Sequence, residues 1–384
     1  MNIDESIQPS TEAQYKPVGN DEILDPSYAK RGFLPQQDPL TVFPPGSPYS
    51  ILDVVGRDLP SLLQDKKFRH YAKTLKIPPW QHLSTNTTLP GLRLYYLRLG
   101  FLASAYINQV GQESCKILPA NIAVPLANVC KILKRPPILS YDGYALYNWR
   151  RFQQDQPIEL GNIDTLQNFV HLYDEHWFIL VHVEIEAIAA DILAAIERIY
   201  TALNNESEPD ITNNLWQINT AIERQVNVLK RIPEKMDPEL YFKTFRPYIR
   251  FFENVVFEGV DQRTINFRGE TGAQSSVIPV LVALLKIPHQ SSVLTEHLQD
   301  MRNYMPERHR RYLEQVSAMS NIRKMADRVA FNAILDNLIE FRKVHFSWAI
   351  EYIHKYVKDA RGTGGTPYIK WLQQLIQETE TYKI

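Results

Sequence analysis

Apolar residues recur at helical spacing through the second half of the chain, from about residue 162 onward. The longest apolar run is 178–196, and the charged residues that interrupt it favour a buried helix of a soluble protein over a membrane span. Asp237 before Pro238 is typical of a helix start. The pattern predicts helices over 164–200, 210–231, 238–257, 273–286, 292–303, 307–317, 321–358 and 367–379.

The first half has a different pattern, in which short helical stretches alternate with proline-punctuated loops. Residues 1–50 are rich in Pro, Asp, Gln and Ser and show weak periodicity, and no β-strand series or repeat is evident. We therefore expect a mainly α fold in three parts: an extended N-terminal arm (1–50), a smaller mixed N-terminal domain (51–160) and a large all-helical domain (161–384).

Composition narrows the choice of partners. The 384 residues carry 42 Lys and Arg against 43 Asp and Glu, so no basic excess predicts nucleic acid or an anionic membrane as a partner. Cys115 and Cys130 are too few for a disulfide framework, and no secretory signal pattern begins the chain. These features predict a cytoplasmic protein.

Two segments place basic residues on apolar helical faces that could hold a ligand. His345 and Arg342 lie in FRKVHFSWAIEYI (341–353), where His345 shares a face with aromatic residues. The imidazole is either an iron or zinc ligand, with Arg342 pairing an anion beside it, or a hydrogen-bonded core histidine. Arg246 lies among aromatic residues in YFKTFRPYIRFF (241–252), as a carboxylate clamp or as an arginine whose stem covers apolar surface.

Other constellations are weaker. The loops FRGETGAQSS (267–276) and RGTGGT (361–366) do not match a phosphate-binding motif, and are either hinges beside a ligand or helix-capping turns. His182 and Glu186 share a helical face, as two ligands would. A di-iron site would need two E-x-x-H motifs, and the chain has only one, Glu351 to His354.

The order of several motifs resembles the indoleamine 2,3-dioxygenase family of haem enzymes over roughly residues 120 to 380. The most specific are G-x-x-x-x-Q-S-S, D-M-R-x-Y-M-P-x-x-H-R and G-T-G-G-T, in that order. The matching stretches are 121–149, 177–190, 237–249, 267–277, 298–313, 341–353 and 361–372.

The resemblance implies a small N-terminal domain, a large helical domain and haem b between them. It also implies that both atoms of O2 enter across the indole C2–C3 bond of tryptophan or a related indoleamine. The product would be of the N-formylkynurenine type, in tryptophan catabolism, and a reductant would keep the haem ferrous.

The resemblance also implies roles for individual residues. His345 matches the iron ligand, and Arg342 matches the arginine that pairs with a haem propionate. Arg246 matches the residue that holds the substrate carboxylate. The substrate pocket is matched by Tyr141, Tyr144, Phe178, His182, Tyr241, Phe242, Gly269, Glu270, Thr271, Gly272 and Thr363, and the loop over the haem includes Gly272 and Ala273.

Four positions depart from the family pattern and leave the substrate open. His182 stands where the mammalian-type enzymes have a small hydroxyl residue, and it would accept the indole N–H or bond the oxygen. Tyr144 replaces a cysteine, Glu270 replaces a glycine, and Val282 replaces the aspartate that accompanies Arg342. The alternatives are a haem oxygenase acting on another aromatic substrate, or a haem and O2 carrier without turnover.

Overall fold

The computed structural model describes residues 24–25, 27–82, 88–356 and 368–384. The fold is mainly helical, as the sequence predicts. The helices are α1 (Tyr28–Arg31), α2 (Ser50–Leu62), α3 (Phe68–Thr74), α4 (Thr88–Ile107), α5 (Ala120–Ile132), α6 (Tyr173–Asn204), α7 (Glu208–Leu229), α8 (Pro238–Leu240), α9 (Val277–Leu285), α10 (Val293–Arg302), α11 (Glu307–Ala318), α12 (Arg328–Tyr352) and α13 (Tyr368–Thr381). The strands are β1 (Ile117–Leu118), β2 (Arg150–Arg151), β3 (Ile163–Asp164), β4 (Phe252–Phe257) and β5 (Asp261–Phe267).

Helix α6 is the central element of the fold, and its apolar run is buried between other helices. It packs against α7 and α1, and α7 packs in turn against α12. A buried amide fixes one of these contacts, because Gln225 of α7 donates to the Ile185 carbonyl of α6 at 2.8 Å. The prediction of a buried helix over 178–196 is therefore confirmed.

Short sheets depart from the predicted all-helical character of residues 161–384. β4 pairs antiparallel with β5 and parallel with β1, so part of the C-terminal half joins the N-terminal half through backbone hydrogen bonds. The helix predicted over 238–257 is wrong in its second half, where β4 begins at Phe252. Pro247 explains the break, since proline cannot continue the hydrogen-bonding ladder of the preceding turn.

Two long helices begin later than the sequence predicts. α6 begins at Tyr173 rather than 164, because the preceding segment forms β3 and a loop. α12 begins at Arg328 rather than 321, since the Asp327 carboxylate accepts the Ala330 N–H at 2.9 Å. Asp237 caps the start of α8 through two backbone N–H groups, as predicted.

Buried hydrophobic residues form two clusters, which share α6. One extends from Leu34 to the β4 region, and the other joins α6, α7, α9, α11 and α12. Part of the predicted arm packs against the second cluster, where Tyr28 and Phe33 contact Tyr312 edge-on. Residues 1–23 lie outside the described chain, and the domain boundaries at 50 and 160 stay predictions. No helix in the described chain is both long and apolar enough to cross a bilayer.

Candidate active site

His345 lies deep in the protein and still presents free surface. Burial lowers the pKa of its imidazole to about 4, and nearby His182 contributes to the shift. Yet the His345 side chain keeps solvent-accessible surface. A residue that is surrounded by protein and is also accessible lines an internal cleft. The imidazole is therefore neutral and carries a lone pair for a ligand or metal.

His182 of α6 lies near His345, close enough to influence its pKa. Its Nδ1 is 2.7 Å from the Phe178 carbonyl oxygen. A carbonyl only accepts, so Nδ1 carries the proton and Nε2 carries the lone pair. Burial lowers the pKa of His182, which keeps the ring neutral. His182 therefore offers a hydrogen-bond acceptor at Nε2.

One stripe of α6 carries the residues that border the cleft. Glu175, Phe178, His182 and Glu186 follow each other at spacings of three and four, so they share one helical face. The Phe178 ring lies 4.7 Å from the His182 ring, between centroids. Both glutamates are fully buried. The stripe therefore places a neutral imidazole between two buried acids.

Each of these acids is bonded to a tyrosine of a π-helical segment, Asp142–Leu146. The hydroxyl of Tyr144 donates to Glu175 at 3.0 Å, and that of Tyr141, at the cap of the segment, donates to Glu186 at 2.9 Å. Ser275 adds a second donor to Glu186 at 2.6 Å. Burial raises the pKa of Glu175 to about 8 and that of Glu186 to about 7, against the opposing effect of these donors.

A second π-helical segment, Tyr241–Phe245, supplies the aromatic and cationic wall. Tyr241 lies 5.5 Å from Phe178, between ring centroids, so the segment reaches the α6 stripe. The Arg246 guanidinium lies 5.1 Å from the centroid of the half-buried Phe242 ring. π-Helical turns are frequent at functional sites because the extra residue re-aims neighbouring side chains.

The loop 269–273 closes the site between the two segments. Gly269 packs so tightly that an added Cβ would lie 2.4 Å from the Ile249 carbonyl oxygen. Glu270 is 3% exposed, and burial raises the pKa of its carboxyl to about 8. Thr271 caps the following turn through the Ala273 N–H. Gly272 is exposed, and an added Cβ would meet no atom within 4 Å.

Arg342 is buried on α12 and contacts the C-terminal helix. Its Nη1 donates to the Leu375 carbonyl at 2.7 Å and to the Thr379 hydroxyl. Burial lowers its pKa to about 10, against the opposing charge of Glu378. The substitution of aspartate by Val282 therefore does not isolate this guanidinium, because α13 supplies acceptors. Its predicted role at a propionate stays a prediction.

The donor set fits haem b. A neutral His345 suits iron, and a flat apolar group needs apolar walls with free surface beside it. Half-buried Phe341, Phe346 and Trp348 of α12 and Phe178 of α6 provide such surface. The buried Trp348 N–H has no acceptor among the described residues, which suits a cofactor that carries acceptor atoms.

Most of the residues predicted for the site come together, although their roles stay predictions. Thr363 and its loop lie outside the described residues. The described chain contains no cluster of three or more His, Cys, Asp or Glu residues that could hold a metal. Sequence reasoning missed Glu175 and Ser275. The spacing of Glu175 to His182, two helical turns, was the available signal.

Comparison with known proteins decides the family. The sequence model described as "Indoleamine 2,3-dioxygenase" matches residues 27–359 of this chain. The chain belongs to the indoleamine 2,3-dioxygenase family. It is therefore an enzyme of a haem-dependent dioxygenase family, as the motif order predicts.

Relatives in the indoleamine 2,3-dioxygenase family cover most of the chain. Indoleamine 2,3-dioxygenase 1 of Mus musculus is 30% identical over 86% of this chain and 89% of its own length. Indoleamine 2,3-dioxygenase of Saccharomyces cerevisiae is 30% identical over 85% of this chain and 78% of its own. A 6-hydroxytryptophan 2,3-dioxygenase of Fusarium equiseti is 25% identical over 89% and 93%. The family therefore includes enzymes named for different indoles.

Proposed function

We propose that this chain is a haem b-dependent dioxygenase that adds both atoms of O2 across the C2–C3 bond of tryptophan or a related indole. The observation that carries the proposal is the pair of buried, neutral histidines, His345 of α12 and His182 of α6, which lie close enough for His182 to lower the pKa of His345. His182 has the rings of Phe178 and Tyr141 beside it, which suit a flat aromatic substrate. The arrangement separates a cofactor side from a substrate side.

On the cofactor side, His345 would hold the haem, with Phe341 and Trp348 against its apolar surface. Arg342 would form an ion pair with a haem propionate in place of one of its hydrogen bonds to α13. The haem supplies the oxygen chemistry, which no side chain provides. A reductant that keeps the iron ferrous is a required partner.

On the substrate side, Arg246 binds the carboxylate through its guanidinium fork. Phe242, Tyr241 and Phe178 form an aromatic wall for the flat indole. His182 accepts the indole N–H at Nε2, the atom left with a lone pair by the bond to Phe178. These contacts fix the ring and exclude water from it. The loop 269–273 and Thr363 complete the enclosure in this proposal.

The deciding experiment follows labelled oxygen into the product. Haem-loaded protein is reduced without air, mixed with L-tryptophan and ¹⁸O2, and analysed by mass spectrometry. We expect a Soret band and a product that gains two labelled atoms. His345→Ala should lose the Soret band, and His171→Ala is its matched control, because His171 is an exposed histidine bonded to Ser61.

A product with one labelled atom would replace this proposal with a monooxygenase. Haem binding without turnover of any indole would instead indicate a carrier. Arg246 disfavours that carrier, since a haem and O2 carrier has no use for a buried cation beside an aromatic wall.

A further inference from the structure

We propose that Tyr356 is a positioning residue for the substrate carboxylate, because its ring holds the Phe242 ring on which the Arg246 guanidinium lies. This role rests on the proposed function, since it assumes that Arg246 binds the carboxylate of the substrate. It goes further by adding a residue outside the motifs. Tyr356 falls between the matching stretches 341–353 and 361–372.

The Tyr356 ring is stacked on the Phe242 ring. The two ring centroids are 5.2 Å apart, and the ring planes are inclined by 21°. Both side chains are half-buried, so the stack shields part of each ring from solvent. Stacked aromatic pairs are stabilised beyond the area that they bury. The stack therefore restricts the conformations that the Phe242 side chain can adopt.

The same Phe242 ring contacts the arginine of the candidate clamp. The Arg246 guanidinium lies 5.1 Å from the centroid of the ring. The two residues are four positions apart, so they are neighbours on one face of the segment. A cation is attracted to the face of an aromatic ring. The direction of the guanidinium therefore depends on the conformation of Phe242, which depends in turn on Tyr356.

A second tyrosine holds the backbone of the same segment. Tyr352 lies edge-on to Tyr241, with 5.8 Å between ring centroids, and its hydroxyl donates to the Met236 carbonyl at 2.9 Å. Tyr352 ends α12, and Tyr356 ends the short helical turn that follows. The helix that carries the candidate iron ligand thus contacts two consecutive residues of the π-helical segment. Loss of Tyr356 should therefore free the Phe242 side chain and leave the segment in place.

The ring of Tyr356, rather than its hydroxyl, performs this role. The stack involves the two rings, and a phenylalanine could form it equally well. The hydroxyl is directed towards the exposed Lys243. Glu239 is the main cause of the raised pKa of the Lys243 ammonium, and Tyr356 adds to the rise. Tyr356→Phe should therefore behave as wild type.

Two ligands separate the carboxylate clamp from the rest of the site. L-Tryptophan carries the carboxylate, whereas tryptamine has the same ring and ammonium without it. Calorimetry on the haem-loaded protein gives the dissociation constants of both ligands for wild type, Tyr356→Ala and Tyr356→Phe. The values of kcat and KM for L-tryptophan are measured in parallel.

Tyr382→Ala is the matched control. Tyr382 is also half-buried and packs against an aromatic residue of α12, but that residue is Phe331, near the opposite end of the helix. Soret spectra and circular dichroism establish that each variant is folded and loaded with haem. The control therefore separates support of the substrate segment from general support of α12.

We expect Tyr356→Ala to weaken the binding of L-tryptophan about fivefold, the effect of losing one aromatic stack, and that of tryptamine less than about twofold. KM for L-tryptophan should rise by the same factor with little change in kcat, because the carboxylate contact is made before and during the reaction. Tyr356→Phe and Tyr382→Ala should match wild type for both ligands.

A double-mutant cycle tests whether Tyr356 acts through Phe242. In the Phe242→Ala background, Tyr356→Ala should weaken L-tryptophan binding by less than about twofold, because the ring that Tyr356 supports is already absent. A full fivefold loss in that background would show that Tyr356 acts by another route and would overturn the inference.

Unchanged L-tryptophan binding in Tyr356→Ala, an equal loss for tryptamine, or a loss that persists in Tyr356→Phe would also overturn it. Two-oxygen turnover by the wild type would leave the proposed function standing in each case. Conversely, binding of L-tryptophan that depends on Tyr356, without turnover of any indole, would overturn the proposed function and support the role of Tyr356.

Discussion

The two sides of the cleft are built in different ways. The His345 side comes from α12, where the ligand candidate and its aromatic neighbours follow helical spacing within one element. The His182 side combines α6, two π-helical segments and the loop 269–273, which are far apart in the chain. One side is largely apolar, and the other holds three buried acids and three buried phenols.

The difference indicates that the two sides have different roles, one in cofactor binding and the other in substrate selection. A cofactor needs one strong ligand and apolar surface, which a single helix provides. Discrimination among related substrates needs several polar groups at fixed positions, and these come from different parts of a fold. A single substitution on the His345 side should therefore abolish haem binding. A single substitution on the His182 side should change substrate binding or selectivity by degrees.

The largest expected effect is the loss of haem from His345→Ala. Haem content after reconstitution and gel filtration should fall at least tenfold, because the variant has no iron ligand at that position. His182→Ala should keep haem within twofold of wild type. Equal losses of haem from both variants would mean that His345 and His182 contribute equally to haem binding.

Arg246→Ala should reduce kcat/KM for L-tryptophan about 100-fold, because the carboxylate loses a charge-assisted bidentate contact of about 3 kcal/mol. Arg246→Lys should recover part of that loss. Haem content should not change, which separates this effect from the previous one. Arg250→Ala, an exposed arginine of the same segment, serves as the control and should behave as wild type.

His182 should discriminate against an indole without an N–H by about tenfold, the cost of leaving a buried acceptor unpaired. The measurement is the ratio of kcat/KM for L-tryptophan to that for 1-methyl-L-tryptophan. His182→Ala should bring this ratio towards one. An unchanged ratio would show that Nε2 does not meet the indole nitrogen.

The buried acids should make the folded protein less stable as pH rises. Their folded pKa values are about 8 for Glu175 and Glu270 and about 7 for Glu186, against an ordinary 4.5. Between pH 4.5 and 8 these acids keep protons that the unfolded chain releases, so their contribution to the free energy of unfolding falls. Buried histidines with lowered pKa values, among them His345 at about 4, have the opposite effect below pH 6.5, so the net fall is expected above pH 7.

Urea unfolding at pH 7, 7.75 and 8.5 measures this decline, which we expect to reach a few kcal/mol. Glu186→Gln should make the decline shallower, because the amide keeps the size of the side chain and removes one of the three titrating groups. Lys243→Gln, at an exposed position, should leave the slope unchanged. A stability that rose towards pH 8.5 would contradict the assignment of these acids as neutral.

The smallest effect concerns the support of α12. Thr379→Val removes the hydroxyl acceptor of Arg342 and should lower the free energy of unfolding by about 1 kcal/mol. Thr381→Val is the matched control, since Thr381 is exposed and bonds only to carbonyls of its own helix. Equal losses from both would indicate a general effect on α13.

The residues of the His345 side could be predicted from the local sequence pattern. His345, Arg342 and Trp348 fall on predictable positions of one helix, because side chains three and four residues apart are neighbours. The start of α12 was harder to predict, since the Asp327 cap begins the helix seven residues later than the apolar pattern alone suggests.

The His182 side depends on contacts that no local pattern contains. Tyr144 and Glu175 are 31 residues apart, and Ser275 and Glu186 are 89 residues apart. Sequence reasoning found Tyr141 and Tyr144 only through the family resemblance. It predicted a helix where β4 forms. The apolar residues around 252–257 fit the helical and the strand periodicity equally well over so short a run.

The two π-helical segments have a consequence for how this pocket changes over evolutionary time. Each π-helical turn is equivalent to one extra residue inserted into an α-helix. Deleting one residue from 142–146 would restore α-helical winding and turn the following side chains by about 100° relative to Tyr141. Insertions and deletions of a single residue, rather than substitutions, would then be the abrupt route to a differently shaped pocket.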